Sequence, residues 1–328
     1  MALIHFDGFN LGDFALRYTA TGCSTSSTTP FGAGLSLSAG SFTKSLAASD
    51  DEWYVGFRFY VSSNMDTTQR AIIGFFSDSG ATQHIAVGFR SNGFEVRRGN
   101  ESGTLLDSYT LGSLVAAQWY YAEIYVKVAD SGGRVTVKID GTTRVDFTGD
   151  TKNGGTSSNL DLLRCAGNGV AVLFDDLYVC NAVGSAPYNT FLGDVRVAAL
   201  VPTGAGATTG MTASAGSNWQ TQDERAYSAS DYNTGAAGQK DTYALNDLPA
   251  GVATVLAVQV NAIAKKTDSG ALSLRTVVRS DGVDYVGSSV SLGLADALIS
   301  TDYITDPDTS AAWTTSAVNA LEAGAEVV

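Results

Sequence analysis

Gln118-Trp-Tyr-Tyr-Ala-Glu-Ile-Tyr-Val-Lys-Val128 runs into Asp130-Ser-Gly-Gly133. Arg134-Val-Thr-Val-Lys-Ile-Asp140-Gly141 follows, and these segments decide the fold of the chain. Tyr120, Ala122, Ile124, Val126 and Val128 put an apolar side chain at every second position, and Val135, Val137 and Ile139 repeat the pattern after the turn. Asp140-Gly141 turns the chain again before Val145 and Phe147. Alternate residues of a strand share a face, so this spacing predicts an antiparallel meander with one face buried, punctuated by Asp-Gly turns. The chain therefore reads as a β-protein.

The composition agrees. Among 328 residues there are 36 glycines and 5 prolines, and 44% of the chain is hydrophobic. Such a chain makes many tight turns and is too apolar to be disordered. Its length permits two domains. The net charge of −13 repels phosphate backbones and argues against nucleic acid as a partner. No run approaches the ~18 apolar residues of a membrane-spanning helix. Met1-Ala-Leu-Ile-His-Phe-Asp-Gly8 has neither a basic segment nor an apolar one, so assembly in a cytoplasm is expected. Cys23, Cys165 and Cys180 are odd in number and lack metal-ligand spacing, which predicts free, buried thiols.

Outward from the meander, Leu3 to Phe6, Phe31 to Leu46, Trp53 to Val61, Ala71 to Phe76, Ile85 to Phe89, Phe94 to Val96 after an Asn92-Gly93 turn, and Val170 to Cys180 all read as strands. Roughly ten strands with turns every 8–12 residues describe a two-sheet sandwich of the jelly-roll type. Near Gly184-Ser-Ala-Pro187 the texture changes. Phe191 to Val197 reads as a strand, and Thr203 to Ser217, rich in Gly, Ala, Thr and Ser, as a long loop. A second β-unit follows: Leu256 to Ala264, an Asp268-Ser-Gly270 turn, Leu272 to Val278, and Asp284 to Val286 after Asp281-Gly282. A short helix is expected over Ala317–Ala323, capped by Ser316 and Gly324, with Glu326-Val327-Val328 returning as a strand.

Trp119-Tyr-Tyr-Ala-Glu123, then Val135 to Gly141, then Phe174-Asp175-Asp176-Leu177-Tyr178-Val179, resembles the closing strands of laminin-G-like, concanavalin A-like sandwiches over residues 1 to 185. The resemblance implies a jelly-roll sandwich, set over 1–190, and the second β-unit read from the alternation makes the remainder, 191–328, a smaller β-sandwich in an all-β chain. Asp175 through Gly184-Ser-Ala-Pro187 to Arg196, and Trp313 to Val328, resemble virion structural proteins of tailed bacteriophages. That second resemblance implies a non-enzymatic component of the capsid or tail surface, such as a decoration protein or part of a fibre. It would be assembled in the host cytoplasm against other virion proteins, as a homo-oligomer for which a trimer suits three-fold capsid positions. The alternative is a receptor- or glycan-binding module at a tail tip or fibre, with a host surface glycan as partner.

The candidate sites are few. Glycosidases need two carboxylates about 5–9.5 Å apart in one cleft, whereas the adjacent Asp175 and Asp176 point to opposite faces of a strand. His5 and His84 sit in apolar strand-like runs without a nucleophile elbow and read as structural histidines. No cofactor is expected. The first resemblance implies that a metal, if held, is calcium on Asp175 and Asp176 or on Asp306 and Asp308, all of which read equally as turn or strand-end carboxylates. Trp119, Tyr121 and Tyr125 form an aromatic stripe opposite Ala122, Ile124 and Val126. It either packs on another protein or domain or serves as a recognition platform. Trp219 and Tyr232, in the irregular region, are the candidates for exposed contact with a glycan or partner.

Overall fold

The computed structural model describes residues 3–32, 34–61, 70–90, 93–110, 114–167 and 172–328. The chain divides into two compact units, Met1–Val197 and Ala198–Val328, and both are built almost entirely of antiparallel strands. Residues 191–197, expected to open the second unit, belong to the first.

The first unit is a sandwich of two sheets. One sheet runs in space Thr142–Gly149, Gly133–Ile139, Gln118–Lys127, Glu52–Val61, Val172–Asn181, Ser36–Ala39 and Ser24–Ser26, with Leu3–Asp7 also pairing on Val172–Asn181. The other runs Thr104–Thr110, Gly93–Arg98, Thr82–Arg90, Arg70–Ser77, Leu160–Ala166, Ser41–Asp50 and Thr19–Thr21. The meander holds the expected register, with Ile124 opposite Val137 and Val137 opposite Val145. Trp53, Val55, Phe57, Phe59 and Val61 are all buried, and with Ile124, Val126, Ile85, Val87, Phe89 and Leu163 they fill the space between the sheets. Gly56, between Val55 and Phe57, faces the other way. A Cβ there would lie 2.1 Å from the Tyr178 ring, so glycine lets that ring lie flat on the outer face of the eight-stranded sheet.

The second unit has a six-stranded sheet: Pro202–Thr209, Lys240–Leu245, Glu322–Val327, Ser273–Ser280 and Val283–Val286, with Val290–Ser291 off the same Ser273–Ser280 strand. Two small two-stranded sheets accompany it. Two apolar clusters stabilise it, one around Val278, Trp313, Val318 and Leu321, the other around Leu274, Ile299 and Val327.

Several local expectations are corrected. Thr203 to Ser217 is not a continuous loop, because Pro202–Thr209 is an edge strand pairing with Lys240–Leu245. Its side chains are nearly all small, so no apolar alternation announced it. Val258–Ala264 pairs with Ala297–Tyr303 rather than folding back across Asp268-Ser-Gly270 onto Ser273–Ser280. The helix covers Thr315–Ala320, and its cap is Thr314, whose hydroxyl accepts from the Ala317 amide at 3.0 Å. Gly324 lies instead within the last strand, where a Cβ would come 1.9 Å from the Asp241 carbonyl oxygen. Phe191 to Val197 joins no sheet. The expected partner of Gly93, Asn92, and the first residues of the Val170 to Cys180 run lie outside the described residues.

Candidate functional site

The aromatic stripe does face away from the core, and this chain buries Tyr121 and half-buries Trp119 and Tyr125. Tyr121 is only 1% exposed and lies under the Arg58 guanidinium, 5.1 Å from the ring centroid. Tyr125 is half-buried; its hydroxyl donates to Glu52 at 3.0 Å, and its ring lies 4.7 Å from that of Tyr54, which meets Phe191 edge-on at 5.1 Å. Trp119 is half-buried against Tyr60. The covering segment is 191–197, and side chains rather than a ladder satisfy its amides. Gly193 N–H donates to Glu123 at 2.8 Å, Leu192 N–H to the Tyr178 hydroxyl at 3.2 Å, and Val197 N–H to Asp176 at 2.7 Å. Tyr178 in turn donates to the buried Glu123 at 2.7 Å. Buried polar groups are tolerated when each has such a partner.

Asp175 and Asp176 sit at a bulge in the Val172–Asn181 strand, where Asp176 takes φ +52°, a conformation that Asp tolerates better than most residues. Arg58 Nε donates to Asp176 at 2.9 Å and the same guanidinium pairs with Asp194. Burial pushes the Asp176 carboxyl up, against the pull of Val197 N–H and Arg58. Among the described residues Asp175 receives only the Asp176 amide, at 2.8 Å. Burial, and then the Asp176 and Asp7 charges, push its carboxyl well above the usual carboxylate range. Since an unfolded aspartate titrates near 3.9, the unfolded chain releases this proton first, and stability from this site falls as pH rises above about 4. Asp175→Asn removes that titration. The stability of the variant relative to the unaltered chain, measured by urea unfolding, is expected to grow by about 1 kcal/mol or more between about pH 5 and 8. A constant difference would mean that Asp175 is ionised in the fold.

The other candidate carboxylates are also engaged. Asp306 accepts from the Ser280 hydroxyl at 2.8 Å and the Asp308 amide at 3.1 Å, and Asp308 accepts from Tyr285 at 2.9 Å. Among the described residues no group of three His, Cys, Asp or Glu side chains is placed to hold a metal ion. Both histidines are pushed down by burial. His84 Nδ1 accepts from the Asn153 amide at 3.0 Å, which leaves the proton on Nε2, 3.1 Å from the Ser157 carbonyl and 2.8 Å from Ser77 Oγ. With its basic nitrogen occupied, His84 is no base for Ser77. His5 Nε2 lies 2.9 Å from the Tyr18 hydroxyl, which donates to Asp7 at 2.8 Å.

Two surfaces with binding chemistry remain. The first is the outer face of the seven-stranded sheet, which the sequence reading missed. One row across it runs Thr43, Arg164, Gly74, Ala86, Arg97 and Leu105. Each alternates with core residues such as Leu163, Cys165, Phe75 and Val96, which fixes the direction they face. Gly74 lets its neighbours lie flat: a Cβ there would meet Gln83 Nε2 at 2.7 Å and Phe76 Cε2 at 2.8 Å. The Arg164 guanidinium lies over the Phe76 ring at 5.5 Å, and among the described residues no carboxylate pairs with it. Three strands away the buried Glu95 holds Arg97 through two nitrogens, at 2.9 and 2.8 Å, and also pairs with Arg90. The two cationic ends of the row are about 14 Å apart at the usual strand spacing. The missed signal was Arg90, Glu95 and Arg97 standing at alternate, same-face positions.

The second surface is a cleft of about 250 Å³ in the second unit, lined by Ala205, Thr209, Ser217, Asn218, Trp219 and Tyr243. Trp219, expected as an exposed contact, is half-buried and lines this cleft, and Tyr232 is exposed beside the short Thr212–Ala213 pairing. Beneath the cleft lies Asp241, which is 1% exposed. It accepts from the amides of Gly210 and Met211 at 2.7 and 2.9 Å, from Asn218 at 2.7 Å and from Tyr243 at 3.0 Å. Asn233 ties Asn218 to Tyr243, donating to the Asn218 carbonyl at 3.0 Å and the Tyr243 hydroxyl at 2.8 Å.

No protein-family model and no curated protein matches this chain. Among solved structures it is similar to the cellulose induced protein Cip1, at 13% identity and a TM-score of 0.43, over 58% of this chain and 100% of that one. It is also similar to alginate lyase Aly36B, at 13% identity and a TM-score of 0.33, over 51% and 84% of the two chains. The carbohydrate binding module CBM66 from Bacillus subtilis matches at 9% identity and a TM-score of 0.34, over 50% and 96%. The fold class stands on the chain's own antiparallel sheets.

Proposed function

We propose that this chain is a non-catalytic saccharide-binding protein on the surface of a tailed-phage virion, and that the outer face of the seven-stranded sheet takes an acidic glycan of the host surface. The observation that carries the binding reading is the Arg164 guanidinium over the Phe76 ring, paired with no carboxylate among the described residues, on the same sheet face as the Arg97–Glu95–Arg90 network, with the buried Gly74 and Ala86 between them. Three guanidinium groups against one carboxylate make this face cationic on a protein of net charge −13, and guanidinium is suited to paired recognition of carboxylates. Glu95 fixes Arg97 in advance, which lowers the ordering cost of binding. The non-catalytic reading is supported by the occupation of Asp175, Asp176, Asp306, Asp308 and both histidines in internal hydrogen bonds. The virion assignment rests on the resemblance of residues 175–196 and 313–328. The rival reading, assembly through the aromatic stripe, has less surface to use, because Tyr121 is 1% exposed and Trp119 and Tyr125 are half-buried.

The test is binding of the intact protein to immobilised acidic and neutral oligosaccharides, with antibody labelling of purified particles. Binding of an acidic oligosaccharide that weakens roughly tenfold in Arg164→Ala is the expected result. Binding indifferent to Arg164→Ala and Phe76→Ala overturns the site, and unlabelled particles overturn the virion assignment.

A further inference from the structure

We propose a second, independent ligand site in the Ala198–Val328 unit: the Trp219 cleft binds a neutral saccharide ring. The chemistry of its walls selects the class. Trp219 supplies a flat aromatic face, the kind of amphipathic surface that takes up the apolar side of a sugar. Among the described residues no partner is found for the Trp219 indole N–H, the Asn218 Oδ1, the Thr209 hydroxyl or the Ser217 hydroxyl, although all four residues line the same cavity. Both hydrogens of the Asn218 amide are used, one by the Met211 carbonyl at 2.8 Å and one by Asp241 at 2.7 Å, so its carbonyl oxygen is held in place as an acceptor. Two donor–acceptor hydroxyls, one fixed acceptor and one donor beside a ring match the hydroxyl pattern of a polyol.

Charge excludes the alternatives. None of the six lining residues is ionised at neutral pH, so nothing compensates the desolvation of a bound carboxylate or phosphate. The carboxylate below, Asp241, already accepts five hydrogen bonds, the fifth from Asn233 at 3.3 Å, and has no capacity left for a cation. The cleft thus differs in kind from the cationic face of the first unit, and it stands whether or not that face binds a glycan.

The experiment titrates the intact protein with maltohexaose, cellohexaose and chitohexaose, and with an oligomannuronate as the charged control, by calorimetry and tryptophan emission. The expected result is that one neutral oligosaccharide binds with a Kd at or below about 1 mM, while the oligomannuronate does not perturb Trp219. Trp219→Ala should weaken that binding tenfold or more, and Arg164→Ala should leave it unchanged. Thr209 is exposed on an edge strand, so Thr209→Arg keeps the fold and should block the cleft. Binding that survives both Trp219→Ala and Thr209→Arg overturns the proposal, as does an absence of neutral binding. Loss in Arg164→Ala alone would move the neutral ligand to the first unit and overturn the second site.

Discussion

Asp241→Ala is expected to destabilise the Ala198–Val328 unit by about 3–5 kcal/mol, since several buried donors then lose their acceptor at roughly 1–3 kcal/mol each and not additively. The melting temperature of that unit should drop by on the order of 10 °C. The residue is buried in Lys240–Leu245, and its two oxygens serve backbone and side chains at once. One oxygen takes the Gly210 and Met211 amides just past the end of the edge strand, so it fixes where the chain leaves the sheet. The other takes Asn218 and Tyr243, two of the residues that line the Trp219 cleft. Asp241→Asn should cost less, because it keeps one acceptor oxygen for the two amides. Amide exchange separates this network from general loosening: Met211 should lose protection in Asp241→Ala, while Gly210, whose amide also donates to the Lys240 carbonyl at 2.9 Å, and the Lys240–Leu245 ladder keep it. A loss below about 1 kcal/mol would mean that water serves these donors equally well.

How much of this could be read beforehand follows from what side-chain periodicity encodes. The meander and the Trp53–Val61 strand were legible because one face of each is buried and apolar, so the register is written at alternate positions. Pro202–Thr209 was not, because Gly and Ala at an edge carry no apolar signal. Phe191 to Val197 misled for the opposite reason: Phe191, Leu192, Val195 and Val197 look like strand residues, yet the segment lies on a sheet face with side chains taking its amides. The Trp119–Tyr121–Tyr125 stripe was legible as a second face, but what covers it depends on residues some 70 positions later, as the Glu123–Gly193 bond shows. The Trp219 cleft was half legible, since an aromatic in an irregular region was visible while the buried carboxylate that organises it was not. Of the cationic face, Arg90, Glu95 and Arg97 meet within one hairpin and left a signal at alternate positions, whereas Arg164 joins their sheet only when Leu160–Ala166 pairs with Arg70–Ser77.

The covering segment of the first unit makes the other large expectation. Arg58→Met should destabilise Met1–Val197 by about 3–5 kcal/mol, the usual consequence of removing one partner from a buried ion pair. Without the guanidinium the carboxyl of Asp176, only 1% exposed, is pushed further up, and ionising it at neutral pH carries a desolvation cost that the Val197 amide alone does not offset. Asp194 would lose the guanidinium that holds it, so residues 191–197 should detach first, seen as faster amide exchange at Gly193 and Val197. Two causes compete, because the same guanidinium also stacks on Phe31 at 4.7 Å and Tyr121 at 5.1 Å. The double variant Arg58→Met/Asp176→Asn decides between them. If the stranded charge carries the cost, removing it should restore a large part of the loss, because an uncharged pair of similar size no longer needs solvation. If the double variant is as unstable as the single one, the guanidinium acts mainly through its stacking on the two rings. The charge explanation is the stronger, since stacking of a partly exposed cation contributes about 0.5–2 kcal/mol and falls short of the expected loss.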